Sequence, residues 1–268
     1  MSRNLMLSEA LASGSQLTLE IRLADEATFE SFWPSRALTP LVSYLVESSR
    51  RAPSTAPAEV GHTYGAATDV DDLGGDPLEP GIAEFFHGPA ASGKSHLLQA
   101  VCRERSGALY LPLSMVRGEA ASEVLNSLEL SPFVALDELD LIAGCKEWEE
   151  SLFHFLNRAA QAGCTVYAAA RTPPADSAFT LPDLVSRLAV GTVWALPAPS
   201  EDERLEILSH RASVRGLALP EPVIAYLCRR GGRSLEDLLG ALDILDEASL
   251  QFQRPLTVPF VRRTLGWE

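Results

Sequence analysis

Residues 88–95 constrain the fold more than any other segment, because they match the pattern G-x-x-x-x-G-K-[ST] at every fixed position. Before them, the apolar run 82–86 predicts a strand, and after them residues 96–101 predict the start of a helix. A glycine loop between a strand and a helix directs backbone N–H groups and the positive end of the helix dipole at phosphate oxygens. The segment therefore predicts a site for a nucleoside diphosphate or triphosphate.

The predicted phosphate site has a role for each polar side chain of the loop. Lys94 is expected to reach the β and γ oxygens, and the Ser95 hydroxyl is expected to bind Mg²⁺. His96 follows directly and is grouped with the loop, although a place on the helix surface is the better interpretation. The expected cofactors are ADP or ATP with Mg²⁺, held by Gly88, Pro89, Ala90, Ala91, Ser92, Gly93, Lys94, Ser95 and His96.

Strand and helix patterns alternate from residue 82 to Pro199, and only helix patterns follow. Such alternation predicts right-handed crossovers and a parallel sheet covered by helices on both faces. We therefore expect an α/β fold with a parallel five-stranded sheet, over residues 25–199, followed by a small all-helical domain over 200–268. The strands are predicted at 82–86, 108–113, 132–136, 164–170 and 192–196. The helices of the α/β part are predicted at 94–105, 119–128, 146–162 and 181–188.

Two segments do not fit this pattern. Residues 1–24 are predicted to be a tail, and residues 48–81, rich in proline, glycine and aspartate, are predicted to be a flexible insertion. A solvated loop is a better interpretation of the insertion than an acidic docking site.

The formal net charge of −14 argues against broad binding to a nucleic-acid backbone, which requires a basic surface. A protein partner is the more natural expectation. No apolar stretch is long enough to span a bilayer, and the N-terminus lacks a signal-peptide pattern, so we expect a cytoplasmic protein without a membrane partner. The four cysteines are scattered without metal-ligand spacing, which is typical of small buried side chains in a reducing compartment.

An apolar strand ends in two acids, Asp137 and Glu138. A carboxylate at such a strand tip beside the phosphate loop can hold Mg²⁺, and a second one can activate water. We assign Asp137 to the metal and Glu138 to the catalytic base. The alternative for Glu138 is an acid that interacts with the dipole of the following helix.

Two arginines complete the predicted site. Arg187 lies near the end of a short helix and could form a surface ion pair or project into a neighbouring nucleotide site as an arginine finger. Arg233 follows Gly231 and Gly232 at the start of a helix that could pack over the phosphate loop.

These features resemble the AAA+ ATPases of the DnaA clade. Thr28, Phe29 and Phe32 resemble the aromatic segment that opens the AAA+ domain. The dipeptide of Ser186 and Arg187 resembles the arginine-finger motif, and residues 233–236 resemble the sensor-2 motif, R-x-L-E. The resemblance implies a C-terminal helical lid, with Arg187 as the finger and Arg233 as a nucleotide ligand. In this clade the sensor-1 strand ends with a polar or acidic residue, whereas here it ends with Arg171 and Thr172.

Within the clade, the chain resembles the Hda family, which lacks the DNA-binding domain of DnaA. Segments 29–34, 181–188 and 256–261 are similar to Hda sequences. Residues Gln16, Leu17, Thr18 and Leu19 are similar to the Hda clamp-binding motif, Q-L-x-L-P-L, although an ordinary edge strand is the alternative. The resemblance implies two partners, DnaA and the β subunit sliding clamp of DNA polymerase III. A homo-oligomer is possible, and sequence-specific DNA binding is not expected.

The resulting hypothesis is a nucleotide-gated adaptor that binds the sliding clamp and stimulates ATP hydrolysis by DnaA, which would limit re-initiation of replication. An ATPase of the DnaC-like helicase-loader type is the alternative, since Glu138 could support intrinsic hydrolysis. A DNA-binding initiator fragment is disfavoured by the net charge and by the end of the chain at Glu268.

Overall fold

The computed structural model describes residues 23, 24, 26–50, 83–231, 234–252 and 254–267. The clamp-binding-like residues 16–19 and Arg233 lie outside the described residues, as does the insertion from residue 51 to residue 81. The insertion was expected to begin at residue 48, and this was wrong. Residues 48–50 belong instead to helix α1 (Thr39–Arg50). Its last turn buries Ser48 and Ser49, whose hydroxyls donate to the carbonyls of Leu45 and Val46.

Five parallel strands form one sheet in the order β2-β3-β4-β1-β5. They are β1 (Ala83–His87), β2 (Ala108–Pro112), β3 (Phe133–Asp137), β4 (Thr165–Ala170) and β5 (Val193–Ala195). Strand β1 lies between β4 and β5, and β3 is the other neighbour of β4. Because parallel strands end at the same edge, this order brings the end of β1, where the phosphate loop begins, close to the ends of β4 and β3.

Alternate side chains of the strands enter two separate cores, as the pleat of a sheet requires. Phe85 of β1 packs on one face of the sheet with Val134 and Leu136 of β3. Phe86 packs on the opposite face with Phe133 and Tyr167. Both faces are therefore covered, which explains why the central strands β3 and β4 are apolar almost throughout.

The helices of the α/β part are α1, α2 (Lys94–Glu104), α3 (Ala121–Val124), α4 (Lys146–Ala162) and α5 (Pro182–Leu188). One prediction fails, because residues 119–128 do not form a single helix. Only α3 is helical there, and a 3₁₀ turn, Leu128–Leu130, follows it. Ser127 breaks the segment with a positive φ of 62°, while Leu125 and Leu128 on either side stay buried.

The C-terminal part consists of α6 (Glu201–Val214), α7 (Glu221–Arg230), α8 (Leu235–Phe252) and α9 (Val258–Thr264). Helix α6 starts with a capping box, in which Ser200 and Glu203 satisfy each other's backbone N–H groups. The four helices share a core of their own, centred on Leu208, Leu227 and Leu242. This is the all-helical lid that the sequence predicts. None of the helices in the described ranges combines the length and apolar character that a bilayer crossing needs.

Candidate functional site

The phosphate loop connects β1 to α2 and depends on two glycines that have no room for a side chain. A Cβ atom on Gly88 would lie 2.0 Å from the carbonyl oxygen of Leu196, and one on Gly93 would lie 2.6 Å from the ring of Phe32. Gly93 also has a φ of 96°, which favours glycine. The loop is therefore packed against the residue that follows β5 on one side and the aromatic segment on the other.

Lys94, at the first position of α2, turns its side chain back over the loop. Its Nζ donates to the carbonyl oxygens of Gly88 and Pro89, both at 2.7 Å. Burial lowers the pKa of the amine, and the nearby carboxylates of Asp137 and Asp140 oppose that change. The ammonium group thus lies at the mouth of the loop, where the sequence motif predicts contacts with the β and γ phosphates.

Asp137, the last residue of β3, is buried with 2% of its surface exposed. Its Oδ2 accepts from the Tyr110 hydroxyl at 2.7 Å, and its Oδ1 accepts from the N–H of Glu138 at 2.8 Å. Burial raises the pKa of Asp137, although hydrogen bonds from Ser95 and Tyr110 counteract it. The hydrogen bond from Ser95 brings together the two oxygen-bearing side chains that the sequence assigns to Mg²⁺.

Glu138 has a positive φ of 63°, which is uncommon for a residue with a side chain. Its Oε2 accepts from the N–H of Ser114 at 3.2 Å, and its side chain does not cap the 3₁₀ turn that follows. The carboxylate is therefore tied to the loop after β2 rather than to its own helical turn. The role as a base and the alternative as an acid that interacts with the dipole of the following helix both stay predictions.

Arg171 lies directly after β4 and contacts Asp140. The Asp140 carboxylate accepts from the N–H of Arg171 at 3.2 Å, and the guanidinium Nε lies 3.4 Å from Asp140 Oδ2. The Arg171 side chain is 70% exposed, so this ion pair contributes little to stability. The end of β4 is thus followed by a cation, where the resemblance to the DnaA clade implies a polar or acidic residue.

His96 does not lie on the helix surface, and that interpretation was wrong. Its Nε2 donates to the carbonyl oxygen of Thr28 at 2.7 Å, and its Nδ1 accepts from Arg211 of the lid at 3.3 Å. Burial lowers the pKa of His96 to about 4, so the ring is neutral near pH 7 and can accept from a guanidinium group. The ring of Phe32 lies 5.2 Å from the imidazole. His96 thus joins α2, the aromatic segment and the lid.

A second cation, directly after the last residue of α6, strengthens this connection. Arg215 is nearly buried, and its Nη2 donates to both Glu26 and Asp243. Arg211 also donates to the carbonyl oxygen of Glu26 at 3.0 Å. The segment before α1 is consequently held between α2 and the lid.

A pocket of about 670 Å³ lies between the phosphate loop, the strand ends and the lid. One end is polar and is formed by Lys94, Ser95, Asp137, Glu138, Asp140 and Arg171. The other end is largely apolar and is formed by Phe32, Trp33, Leu38, Pro197, Ile207 and Leu239. Ligand pockets are commonly of this size and combine an apolar wall with a few polar groups.

Of the sequence-predicted residues, 90–96, Asp137 and Glu138 meet at this pocket, whereas Gly88 and Pro89 do not line it. Arg187 does not line it. That arginine lies on α5, where its Nε is buried without a hydrogen-bond partner among the described residues. Sequence reasoning missed Tyr110, Ser114, Asp140 and Arg211. No local motif marks them, because each reaches the site from a different element.

The comparisons with known proteins agree with this architecture. Residues 201–265 match the family model described as "Hda, lid domain". Domain III of the replication initiation protein DnaA from Thermotoga maritima is similar in fold, with a TM-score of 0.69 and 19% identity over 92% of this chain and 98% of that one.

Two further structures share the fold at low identity. The match to AMPPCP-bound DnaA from Aquifex aeolicus covers 85% of this chain and 68% of the DnaA chain, with 17% identity and a TM-score of 0.60. The match to the RuvB Holliday junction branch migration motor from Thermotoga maritima covers 69% of this chain and 61% of the RuvB chain, with 17% identity and a TM-score of 0.51. Residues 201–265 are thus similar to the lid domain of the Hda family, and the chain shares the fold of domain III of DnaA.

Proposed function

We propose that this protein is a nucleotide-gated adaptor that binds the replicative sliding clamp and stimulates ATP hydrolysis by DnaA. The match of residues 201–265 to the Hda lid domain supports a role in DnaA-related regulation of replication. The finer proposal is that hydrolysis takes place in the partner, so that re-initiation is limited. The expected site of action is the cytoplasm.

The observation that carries this proposal is the position of Arg187. The side chain lies outside the pocket of its own chain, so it is not a candidate ligand for a nucleotide bound there. Its helix presents a half-buried guanidinium whose Nε has no hydrogen-bond partner among the described residues. An arginine supplied in trans stabilises the charge that develops on a transferred phosphoryl group. We therefore propose Arg187 as the finger for ATP bound in DnaA.

The residues of the pocket fit a nucleotide. Loop N–H groups and Lys94 would hold the phosphates, and the apolar end would hold the base. Ser95 and Asp137 supply two oxygen ligands, which suits Mg²⁺ because that ion keeps several waters and binds phosphate oxygens. When bound, Mg²⁺ would offset negative charge on the phosphates and on the Asp137 carboxylate. Arg233 would add a contact from the lid.

The gating part of the proposal is supported by the contacts between α2 and the lid. His96 directly follows Ser95 and connects to Arg211, while Glu26 connects to Arg215. A ligand that contacts both the loop and the lid would favour one arrangement of the two domains. The chain would then present Arg187 in a nucleotide-dependent manner.

The experiment is to measure ATP hydrolysis by purified DnaA with clamp-loaded DNA, with and without this protein. We expect stimulation that requires the clamp and that is lost in the variant Gln16→Ala. Retention of the wild type, but not of this variant, on immobilised clamp is the matching binding test. Equal stimulation with and without the clamp would contradict the adaptor proposal.

The second candidate function is an ATPase in its own right, similar to the helicase loader DnaC. It is favoured by Asp137 and Glu138, which lie at the pocket beside the phosphate loop. Steady-state turnover of ATP by the isolated protein, compared with Glu138→Gln, distinguishes the two candidates. ATP turnover by the isolated wild type that Glu138→Gln abolishes, together with no stimulation of DnaA by the wild type, would favour the second candidate function.

A further inference from the structure

Glu149 of α4 is a fully buried carboxylate, with 0% of its surface exposed. It accepts hydrogen bonds from three backbone N–H groups and one hydroxyl. Oε2 accepts from the N–H of Leu181 at 2.7 Å, from the N–H of Thr180 at 2.8 Å and from the Thr180 hydroxyl at 3.0 Å. Oε1 accepts from the N–H of Gly144 at 2.7 Å. A buried charge is costly unless such donors compensate it. The Glu149 carboxylate should therefore hold the backbone of its donors firmly in place, because hydrogen bonds to a charged acceptor are strong.

The donors belong to two segments that have different places in the proposed mechanism. Thr180 and Leu181 directly precede α5, the helix that carries Arg187. Gly144 belongs to the turn that connects Glu138 to α4. One carboxylate thus joins the segment after the strand-end acids to the segment before the proposed finger.

Helix α5 is held by two buried leucines, which pack in the main core, and by the contacts at its start. It has seven residues, and isolated helices of this length are not stable in water. It buries only Leu184 and Leu188, and its N-cap residue, Leu181, has no side-chain hydrogen bond to the helix. The N–H groups of Thr180 and Leu181, directly before the helix, are bound by Glu149, which lies 32 residues before Leu181 in the chain.

We infer that Glu149 is a positioning residue whose carboxylate holds the start of α5 and thereby sets where Arg187 is presented to the partner. This inference rests on the proposed function for its consequence, because Arg187 is the group that would reach the ATP of DnaA. Glu149 itself does not line the pocket. Its loss should therefore leave nucleotide binding to this chain unchanged.

The test uses Glu149→Gln, which keeps the shape of the side chain. Whichever way the amide is oriented, its NH₂ group faces N–H donors, so at least one of the hydrogen bonds is lost. Thr180→Val removes only the hydroxyl donor and should have a smaller effect. The matched control is Glu84→Gln, a second buried acid, which accepts from Tyr44 and Trp194 at 2.8 Å and belongs to the opposite face of the sheet.

Three readouts are compared in the full-length protein: amide hydrogen exchange over 179–188, affinity for ADP, and stimulation of DnaA at saturating concentration. For Glu149→Gln we expect at least tenfold faster exchange in this segment, an ADP affinity within about twofold of wild type, and at least tenfold lower maximal stimulation. Glu84→Gln should leave exchange over 179–188 unchanged, even if it lowers the melting temperature as much as Glu149→Gln does.

Two results would overturn the inference. Unchanged exchange over 179–188 in Glu149→Gln would show that the carboxylate does not hold α5. Faster exchange with full stimulation would show that its hold on α5 does not matter for activity. Failure of the proposed function is a separate result, namely stimulation of DnaA that survives Arg187→Ala. In that case the exchange measurement still decides whether Glu149 anchors α5.

Discussion

Arg211 of the lid donates a hydrogen bond to Nδ1 of His96, the residue that directly follows the serine of the phosphate loop. This is a direct side-chain contact between α2 and the lid. Because both groups are half-buried or more and the imidazole is neutral, the contact should contribute measurably to the coupling of the two domains.

A double-mutant cycle tests this contact. We expect His96→Ala and Arg211→Ala to be non-additive by about 0.5–1.5 kcal/mol in the free energy of unfolding. The control pairs His96→Ala with Arg229→Ala on α7, whose guanidinium donates to its own helix at Ala225. That pair should be additive to within about 0.5 kcal/mol. Equal behaviour of the two pairs would refute the contact.

Asp137 should show opposite effects on stability and on ligand binding. Its carboxylate is buried, and burial raises its pKa despite hydrogen bonds from Ser95 and Tyr110, so we expect its charge to be unfavourable without a bound cation even though Lys94 is near. We expect Asp137→Asn to stabilise the ligand-free protein by about 1–2 kcal/mol. The same variant should weaken Mg²⁺-dependent nucleotide binding. Thermal unfolding and calorimetric titration measure the two effects, and a destabilised Asp137→Asn protein would contradict the account.

Gly93 and Gly240 both line the pocket, but they should respond differently to alanine. A Cβ atom on Gly93 would lie 2.6 Å from Phe32 at a positive φ, whereas Gly240 of α8 has open space around it. We expect Gly93→Ala to destabilise the protein by about 1–3 kcal/mol. Gly240→Ala should stabilise it by about 0.5–1 kcal/mol, because alanine favours helix. Denaturant unfolding checks both, and two changes of the same sign would disagree with this packing.

Glu149 should make stability depend on pH. Although burial raises its pKa, hydrogen bonds from Gly144, Leu181 and Thr180 hold the pKa of Glu149 below its usual range in the folded protein. A lowered carboxyl pKa contributes stability above the unfolded pKa of about 4.3, and this is lost as pH falls through the folded value. The stability difference between wild type and Glu149→Gln should therefore be larger at pH 7 than at acidic pH. A difference that is constant from pH 7 to pH 3 would disprove this linkage.

The sequence predicts the strands well because they depend on local patterns. Buried parallel strands are apolar runs, and each of the five observed strands starts within one residue of its predicted start. Residues 119–128 were harder, because Ala121, Val124, Leu125 and Leu128 keep an amphipathic spacing although Ser127 breaks the helix. Periodicity does not reveal a single left-handed residue.

The contacts that connect the site to the rest of the molecule could not be predicted from the sequence. His96 and Arg211 are 115 residues apart, and Glu149 reaches Leu181 across 32 residues. These pairs meet only because the sheet order and the lid bring their helices together. A histidine after the serine of the loop, or a glutamate in an amphipathic helix, carries no signal of such a partner.

The most direct test of the central claim is hydrolysis of ATP by DnaA in the presence of the clamp and either wild-type protein or Arg187→Ala. We predict that the variant loses stimulation, by a factor on the order of 10³ or down to the rate of DnaA alone, while it still binds clamp and nucleotide. Arg187→Lys should restore little, because an ammonium cannot replace the planar fork of guanidinium donors. Arg117→Ala, at an exposed position, serves as the control and should stimulate normally. Full stimulation by Arg187→Ala would contradict the claim that this chain acts by giving an arginine to the nucleotide of its partner.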